Sequence, residues 1–415
     1  MNNKNIIFHI DFDSYFVSAH RSKDHRLKNK PVAVSNGLSR SICSSISYEL
    51  KNAGIKVGWP RFMIEKKVPD TIFVEPNFDL YYTTSNNIFD YIASNYTANI
   101  EVGSIDECWI DVTAIAEGKN PVALARKLQE DINEIFDIHI SIGISYSKWA
   151  AKIASDLAKP FGVKFIENHN DLETQVWPLN IQKYYGIGEK TADKLIKADI
   201  KTIGQLARSS ELNSDLYMIF RNRLSAFINE ANGNGNDKLT YEHNNLKGIG
   251  NELTFPLYDF YERSEIYKVI KNIAYKVSHR AQNRNVVGFT LTVIIRSVSK
   301  VWKGKQMKLV EPTNDAEQIY KNAIILFEKL WKEQPIRGVG LRLTNLINEF
   351  EHFKQLTIFD TYDDYKQESK VNNIINDINK KVGKVVLKTG YRVSKEKIKE
   401  SVQSRYLEDD LGTRK

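Results

Sequence analysis

Two adjacent carboxylates, Asp106 and Glu107, stand between apolar residues in the stretch S-I-D-E-C-W-I-D, residues 104–111. Neighbouring residues of a strand point to opposite faces, so an adjacent acidic pair is expected at a turn or a strand edge. An unpaired carboxylate away from water is costly, whereas Mg2+ is commonly held by a few carboxylates and substrate phosphates. The stretch therefore predicts a hairpin that presents a metal site, with an acidic surface turn as the alternative.

The N-terminal run I-I-F-H-I-D-F-D, residues 6–13, predicts a buried strand that ends in two carboxylates. Period two places Asp11 and Asp13 on one face of a straight strand. The C-terminal end of a buried strand is where α/β folds commonly place a metal or a ligand. A strand that simply leaves the core for solvent is the alternative.

Length, charge and cysteine content narrow the class of protein. The 415 residues predict two to four domains, and no apolar run approaches the length of a bilayer span. The two cysteines, Cys43 and Cys108, are too few for a disulfide framework, which favours a reducing, cytoplasmic setting. The net charge of +8 favours an anionic partner such as nucleic acid.

Strands and helices alternate in the first 165 residues, which predicts an α/β or α+β catalytic layer with a small inserted subdomain. Short strands at 30–34 and 42–46 precede a helix from residue 48 to residue 53, where Tyr48 and Lys51 share one face and would form a phosphate clamp. A solvated lysine over a half-buried tyrosine is the alternative there. The later predicted elements are helices at 79–96, 121–136 and 147–157 and strands at 100–102, 108–112 and 138–144.

A G-I-G turn at Gly186 and Gly188 lies between two predicted helices and continues into Lys190 and Thr191. Backbone N–H groups at a helix N-terminus can hold a phosphate oxygen, and such helix-hairpin-helix turns grip a nucleic-acid backbone without reading its sequence. A plain helical hairpin is the alternative. The Gly- and Asn-rich stretch 231–238 predicts a flexible linker and a domain boundary.

Beyond the linker, the predicted elements follow the order β-α-β-β-α-β of ferredoxin-like domains. Alternation in 289–296 places Phe289, Leu291, Val293 and Ile295 on one face of the predicted sheet. The opposite face and nearby turns would gather basic residues that follow a phosphate backbone, with a merely solvated face as the alternative. These residues are Arg296, Lys300, Lys303, Lys305, Lys308, Arg337 and Arg342.

An apolar peptide, Q-L-T-I-F at 355–359, interrupts the polar and charged C-terminal segment. Such a peptide either packs back on its own domain or inserts into the groove of a partner.

Five motifs occur in the order and spacing found in Y-family translesion DNA polymerases. They are D-F-D-S-Y-F at 11–16, Tyr48-x-x-Lys51, S-I-D-E at 104–107, A-K-P at 158–160 and G-I-G at 186–188. Each motif is weak alone, whereas the set is specific. The sequence resembles the DNA polymerase IV type of this family over about residues 5–360.

The resemblance implies an α+β multidomain fold, a right-hand polymerase with palm, fingers, a helix-hairpin-helix thumb and a βαββαβ little-finger domain. The implied boundaries are 1–18 and 78–166 for the palm, 19–77 for the fingers, 167–233 for the thumb, 234–245 for the linker, 246–349 for the little finger and 350–415 for the tail. The tail peptide is similar to the bacterial sliding-clamp-binding motif. It implies that Gln355, Leu356, Ile358 and Phe359 bind the clamp, the β subunit of the replicative polymerase.

The same resemblance implies roles for individual residues. Two Mg2+ ions would be held by Asp11, Asp106, Glu107 and the backbone carbonyl of Phe12, with Asp13 ranked lower as a ligand. Phe16 matches the steric gate, whose ring takes the space of a ribose 2′-hydroxyl. The other dNTP-binding positions are Tyr15, Ser45, Tyr48, Lys51 and Lys159, and the DNA-binding positions are Gly186, Gly188, Lys190, Thr191, Arg296, Lys303, Lys305, Arg337 and Arg342. Lys51 departs from the family, where arginine is usual, so a bidentate phosphate contact becomes a point-charge contact.

The implied activity is template-directed, low-fidelity DNA synthesis on primer-template DNA with dNTPs, by a cytoplasmic monomer. Two metal ions would stabilise the attacking primer 3′-oxygen and the leaving oxygen. One alternative is a phosphatase of the haloacid-dehalogenase type, in which Asp13 would be essential. The others are a catalytically silent DNA-binding or clamp-binding scaffold and a mutasome-type polymerase that depends on accessory subunits.

Overall fold

The computed structural model of the protein describes residues 5–38, 41–240, 246–255 and 257–349. The chain divides into two compact units, residues 1–243 and residues 244–415. This division falls inside the segment predicted as a linker. None of the helices in the described ranges is long and apolar enough to cross a membrane.

The first unit is built on a five-stranded sheet. The strands of the first unit are β1 Ile7–Phe12, β2 Val32–Val34, β3 Ser45–Ile46, β4 Ile72–Val74, β5 Ile100–Val102, β6 Glu107–Asp111, β7 Ile140–Ser145 and β8 Val163–Phe165. The order in the large sheet is β5-β6-β1-β7-β8, and among the described residues of this sheet only the β7-β8 pair is parallel. A small sheet has the order β3-β2-β4.

Some helices of the first unit pack on the five-stranded sheet, and others belong to a second core. The helices of this unit are α1 Tyr15–Lys23, α2 Tyr48–Asn52, α3 Arg61–Lys67, α4 Phe78–Asn95, α5 Thr113–Ala116, α6 Pro121–Phe136, α7 Lys148–Ala158, α8 His169–Asp171, α9 Glu189–Lys197, α10 Ile203–Ala207, α11 Ser214–Phe220 and α12 Leu224–Ala231.

Local sequence explains where these elements begin and what they bury. Every residue of β1 is buried, as its apolar run predicts. Helix α6 has the predicted bounds; its first residue is proline, and the Asn120 side chain accepts a hydrogen bond from the Val122 N–H at 2.9 Å. The strand predicted at 42–46 is shorter than expected, because Ile42 forms an isolated bridge with Pro60 and only Ser45–Ile46 is a strand.

Helices α9 to α12 belong to a second core of the first unit, which contains Trp177, Tyr184 and Phe227. The Trp177 indole donates to the carbonyl of Ala231 at 2.9 Å, and the Tyr184 hydroxyl donates to the carbonyl of Phe227 at 2.8 Å. The G-I-G turn precedes α9, as predicted. The helix expected before the turn is instead a single 3-10 turn at Ile181–Lys183.

The described part of the Gly- and Asn-rich segment lies against the first unit. The carbonyl of Asn236 accepts from the Lys148 N–H at 3.2 Å, and the Thr240 N–H donates to Glu101 Oε2 at 2.6 Å. These hydrogen bonds, which the composition of the segment does not indicate, attach the described residues to the first unit, and the flexibility of the linker stays a prediction.

The second unit has the predicted β-α-β-β-α-β order. Its elements are β9 Gly248–Thr254, α13 Arg263–Gln282, β10 Val286–Ser297, β11 Trp302–Thr313, α14 Ala316–Leu330 and β12 Ile336–Asn348. The antiparallel sheet has the order β11-β10-β12-β9, so each helix joins two strands that have one strand between them. Leu291, Val293 and Ile295 lie in its core as predicted, whereas Phe289 does not, because the register shifts between Gly288 and Thr290.

Candidate active site

Strand register brings the predicted carboxylates to one end of the large sheet. Asp11 on β1 lies opposite Glu107, the first residue of β6. Asp106 comes just before, and its carbonyl accepts from the Phe12 N–H at 2.8 Å. The Ser104 N–H donates to the carbonyl of Glu107 at 3.2 Å, which closes the predicted hairpin turn.

The charges at this end of the sheet perturb one another. Burial raises the pKa of Asp106, and the charges of Asp11 and Glu107 raise it further. The His9 side chain, whose Nε2 lies 3.5 Å from Glu107 Oε2, and the ammonium of Lys152 lower the pKa of Glu107 to about 2. Negative charge is thus concentrated here, and a cation would relieve the repulsion on Asp106.

Two lysines, one in the middle of α7 and one just after its last residue, face these carboxylates. Lys152 Nζ lies 3.1 Å from Asp11 Oδ2 and 2.8 Å from Glu107 Oε2, and Lys159 Nζ lies 2.7 Å from Asp11 Oδ2. Asp156 lies near both ammoniums, 3.7 Å from the first and 3.3 Å from the second. Lys159 is predicted from the sequence, whereas Lys152 and Asp156 are not. Their spacing of four and three residues puts them on one side of α7, but it does not show that this side meets the carboxylates.

Helix α7 reaches the carboxylates because it packs directly against β7 at Gly143. A Cβ atom at Gly143 would lie 2.0 Å from the carbonyl oxygen of Ala151 and 2.1 Å from the nitrogen of Ser155. No side chain fits in that space. The glycine therefore sets how closely Lys152 can approach β1.

Asp13 has a different environment from the other carboxylates. Its oxygens accept hydrogen bonds from the Tyr48 hydroxyl at 2.9 Å, the Ser141 hydroxyl at 3.0 and 2.9 Å, and the Phe161 N–H at 2.7 Å. The side chain is buried and joins the strand end to the turn that follows Lys159. These contacts suit an anchoring residue rather than a metal ligand or a nucleophile.

The residues predicted to bind the triphosphate lie near one another. The Lys51 ammonium lies 4.1 Å from the centre of the Tyr48 ring. Burial lowers the pKa of Lys51, and the nearby positive charge of Lys159 lowers it further. Two ammoniums that repel each other provide a place where an anion would be stabilised.

The three residues predicted to contact the base pair and the sugar of the dNTP have different environments. Phe16 stacks on Tyr81, with ring centres 4.1 Å apart and planes 10° apart. Tyr15 is buried in the core, and its hydroxyl donates to the carbonyl of Tyr81, so its side chain is engaged inside the protein and its dNTP contact stays a prediction. Ser45 is also buried, and its hydroxyl donates to the carbonyl of Ser14 at 3.4 Å.

The oxygen donors of Asp11, Asp106 and Glu107 fit a hard divalent cation, which prefers carboxylate ligands. Among the described residues, no three acidic, histidine or cysteine side chains surround one point closely enough to hold a metal ion. The ammonium of Lys152 bridges Asp11 and Glu107 instead. The Lys152 ammonium thus lies where a cation between these two carboxylates would lie.

The hairpin residues predicted to bind DNA lie on an exposed turn. Gly186 has a φ of +101°, which favours glycine, and a Cβ atom at Gly188 would meet open space. Lys190 is exposed, and the Thr191 N–H donates to the carbonyl of Gly188 at 2.9 Å.

Within the second unit, register separates the predicted basic residues. Arg296 and Arg342 share the sheet face that the helices leave uncovered, since they lie opposite Gly338 and Gly250 respectively. Lys303 and Lys305 lie opposite Ile295 and Val293, hence on the face of the core residues at the sheet edge. The prediction of one basic face is therefore wrong for these two lysines. Arg337 lies at a register shift, with its guanidinium 3.7 Å from Asp259 Oδ1.

The predicted clamp-binding residues Gln355, Leu356, Ile358 and Phe359 lie outside the described residues.

Comparison with protein families gives matches along most of the chain. Residues 10–156 match the impB/mucB/samB family, residues 246–358 match its C-terminal domain, and residues 169–200 match its helix-hairpin-helix motif. A DNA polymerase IV of Bacillus velezensis is 33% identical over 95% of this chain and 94% of its own length. A DNA polymerase IV of Oceanobacillus iheyensis is 32% identical over 93% of this chain and 92% of its own length.

Solved structures give the same result. A chimeric Y-family DNA polymerase superposes with a TM-score of 0.73 at 26% identity, and an insertion ternary complex of Dbh DNA polymerase superposes with a TM-score of 0.55 at 26% identity. Each alignment covers 82% of this chain and 99% of the other chain. These matches confirm the palm, fingers, thumb and little-finger fold. The chain therefore belongs to the impB/mucB/samB family, the DNA polymerase IV-like members of the Y-family of translesion DNA polymerases.

Proposed function

We propose that this chain extends a DNA primer on a template, with low fidelity and tolerance of damaged bases, at the site formed by Asp11, Asp106 and Glu107. The observation that carries the proposal is the convergence of these carboxylates with the ammonium of Lys159, close to Lys51. Nucleotidyl transfer needs a cation at the attacking hydroxyl and positive charge around the departing pyrophosphate. Both requirements can be met at this end of the sheet.

A divalent metal dependence follows from the family. We infer that two Mg2+ ions are used, held by Asp11, Asp106, Glu107 and the carbonyl of Phe12. When bound, they would lower the pKa of the primer 3′-hydroxyl and neutralise charge on the reacting phosphate. Asp11 would serve both the metal site and the triphosphate site, because its carboxylate also contacts the Lys159 ammonium.

The remaining dNTP contacts come from the chain itself. Lys51 and Lys159 would bind the triphosphate, and Lys159 would leave Asp11 to do so. Tyr48 would add a hydroxyl contact from a position fixed by Asp13. Phe16, held by its stack on Tyr81, would exclude a ribose 2′-hydroxyl.

Partners and location follow from the substrate. The turn at Gly186 and Gly188 would hold the DNA backbone, and the arginines on the uncovered face of the second unit would add charge contacts. We expect a cytoplasmic monomer that binds the sliding clamp through residues 355–359. The resemblance of that peptide to clamp-binding motifs is the support for this partner.

Primer extension with Mg2+ and dNTPs tests the proposal, with Asp106→Asn and Phe16→Ala beside the wild type. We expect extension by the wild type, its loss in D106N, and incorporation of ribonucleotides by F16A. A folded, DNA-binding wild type that does not extend primers would contradict autonomous activity. Addition of clamp or accessory subunits would then distinguish a dependent polymerase from a silent scaffold.

A further inference from the structure

We propose that helix α7 carries a counter-ion exchange, in which Lys152 neutralises Asp11 and Glu107 until a divalent cation binds, and Asp156 then receives the displaced ammonium. Lys152 is thus a positioning residue that acts through the two carboxylates. The inference rests on the proposed function, since it takes Asp11 and Glu107 as ligands of the cation.

The contacts of Lys152 define the first position of the exchange. Its ammonium lies within hydrogen-bond distance of Asp11 Oδ2 and Glu107 Oε2, at 3.1 and 2.8 Å, and the side chain is buried. Two carboxylates side by side in such a setting repel each other unless a cation lies between them. Lys152 therefore keeps the pair in place when no other cation is bound.

Asp156 provides the second position. It lies one helical turn after Lys152, and its Oδ1 is 3.7 Å from the ammonium, so a small rotation of the lysine side chain closes the contact. The side chain of Asp156 is 49% exposed, against 11% for Asp11, so it can accept an ammonium without a large desolvation cost. Asp156 also lies 3.3 Å from Lys159, the other lysine that holds Asp11.

Repulsion between the Lys152 ammonium and a divalent ion makes the exchange necessary. A divalent ion between Asp11 and Glu107 would stand beside the Lys152 ammonium, and like charges at a few ångström repel strongly in a partly buried site. The lysine must move before the ion binds, so the apparent affinity for the ion is lower than that of the carboxylates alone. Removing the lysine and removing its acceptor should then have opposite effects on ion binding.

The experiment measures Mn2+ binding to the full-length protein by electron paramagnetic resonance of free Mn2+, without DNA or dNTP, so that no turnover contributes. Lys152→Met should lower the Kd for Mn2+ about tenfold, because the competing charge is gone. Asp156→Asn should raise it about threefold, because the displaced lysine loses a partly exposed acceptor. Lys152→Arg, which keeps the cation, should remain near the wild-type value.

Thermal unfolding gives an independent readout and a folding control. K152M should unfold at a lower temperature than the wild type in EDTA and should gain more from added Mn2+. Lys148→Met is the matched control, because Lys148 lies on the same helix but pairs with Glu101 at 2.6 Å. It should lower the unfolding temperature without changing Mn2+ affinity.

Weaker Mn2+ binding by folded K152M, or unchanged binding by D156N, would overturn the exchange. If the wild type extends primers and D106N does not, that failure leaves the proposed polymerase site intact. A wild type that neither binds Mn2+ nor extends primers would overturn both.

Discussion

Substitution of Gly143 by alanine tests how α7 is held against the catalytic sheet. The new Cβ would lie 2.0 Å from the carbonyl oxygen of Ala151, whereas ordinary contacts begin near 3.4 Å, so helix and strand must separate by about 1.4 Å. Overpacking of this kind costs about 1–3 kcal/mol of folding free energy. The shift also moves Lys152 and Lys159 away from Asp11, and a displacement of about 1 Å at a reacting site can cost about a hundredfold in rate.

Chemical unfolding in urea and single-turnover nucleotide incorporation measure the two effects of G143A separately. Gly37→Ala is a suitable control, because a Cβ there would lie 3.6 Å from the nearest atom, a Glu75 oxygen, which is ordinary contact. We expect G37A to behave like the wild type in urea. Wild-type stability and wild-type incorporation rate in G143A would refute the argument that close backbone packing positions the lysines.

Three further tests probe charge at the site and on the second unit. Lys51→Arg should lower the KM for dNTP about three- to tenfold in steady-state kinetics, because a guanidinium binds phosphate in a bidentate manner; an unchanged KM would argue against a phosphate contact. The pKa of Glu107 is held at about 2, below its ordinary value of 4.5, so the unfolded chain binds more protons than the folded chain between these pH values. The stability that this carboxylate contributes is therefore complete above about pH 4.5 and is lost as the pH falls toward 2. Glu107→Gln should therefore lose less stability than the wild type in urea unfolding between about pH 6 and pH 3, and equal losses would contradict this pKa. Arg342→Ala should weaken DNA binding and its salt dependence more than Lys305→Ala in fluorescence anisotropy, and the reverse order would contradict the assignment of sheet faces.

Local signals predicted the elements of the fold well. The apolar run of β1, the proline at the start of α6 and the β-α-β-β-α-β order of the second unit are all confirmed. Signals that depend on partners distant in sequence were not available. The bulge at Gly288–Thr290, which removes Phe289 from the core row, and the backbone contacts of Asn236 and Thr240 are set by other strands and loops.

In the candidate site as well, local motifs were informative and contacts with distant residues were not predictable. The resemblance to Y-family polymerases implied that Asp11, Asp106 and Glu107 share a site, and the register of β1 with β6 places Asp11 opposite Glu107. The sequence did not predict the position of Lys152, since periodicity alone does not show which face of α7 meets the carboxylates. The burial of Tyr15 was also missed, because its position beside Phe16 does not show which ring packs inward.

The assignment of Asp106 as a metal-binding carboxylate, and of Asp13 as an anchor, can be tested directly by single-turnover incorporation of one dNTP. The variants to compare are Asp106→Asn and Asp13→Asn, each shown to be folded and to bind primer-template DNA. D106N should lose at least about a thousandfold in rate, since charge stabilisation at the reacting phosphate is lost. D13N, which keeps an acceptor oxygen for the Phe161 N–H, should lose far less. A D13N variant that is inactive beside a D106N variant that still incorporates nucleotide would contradict the proposed site.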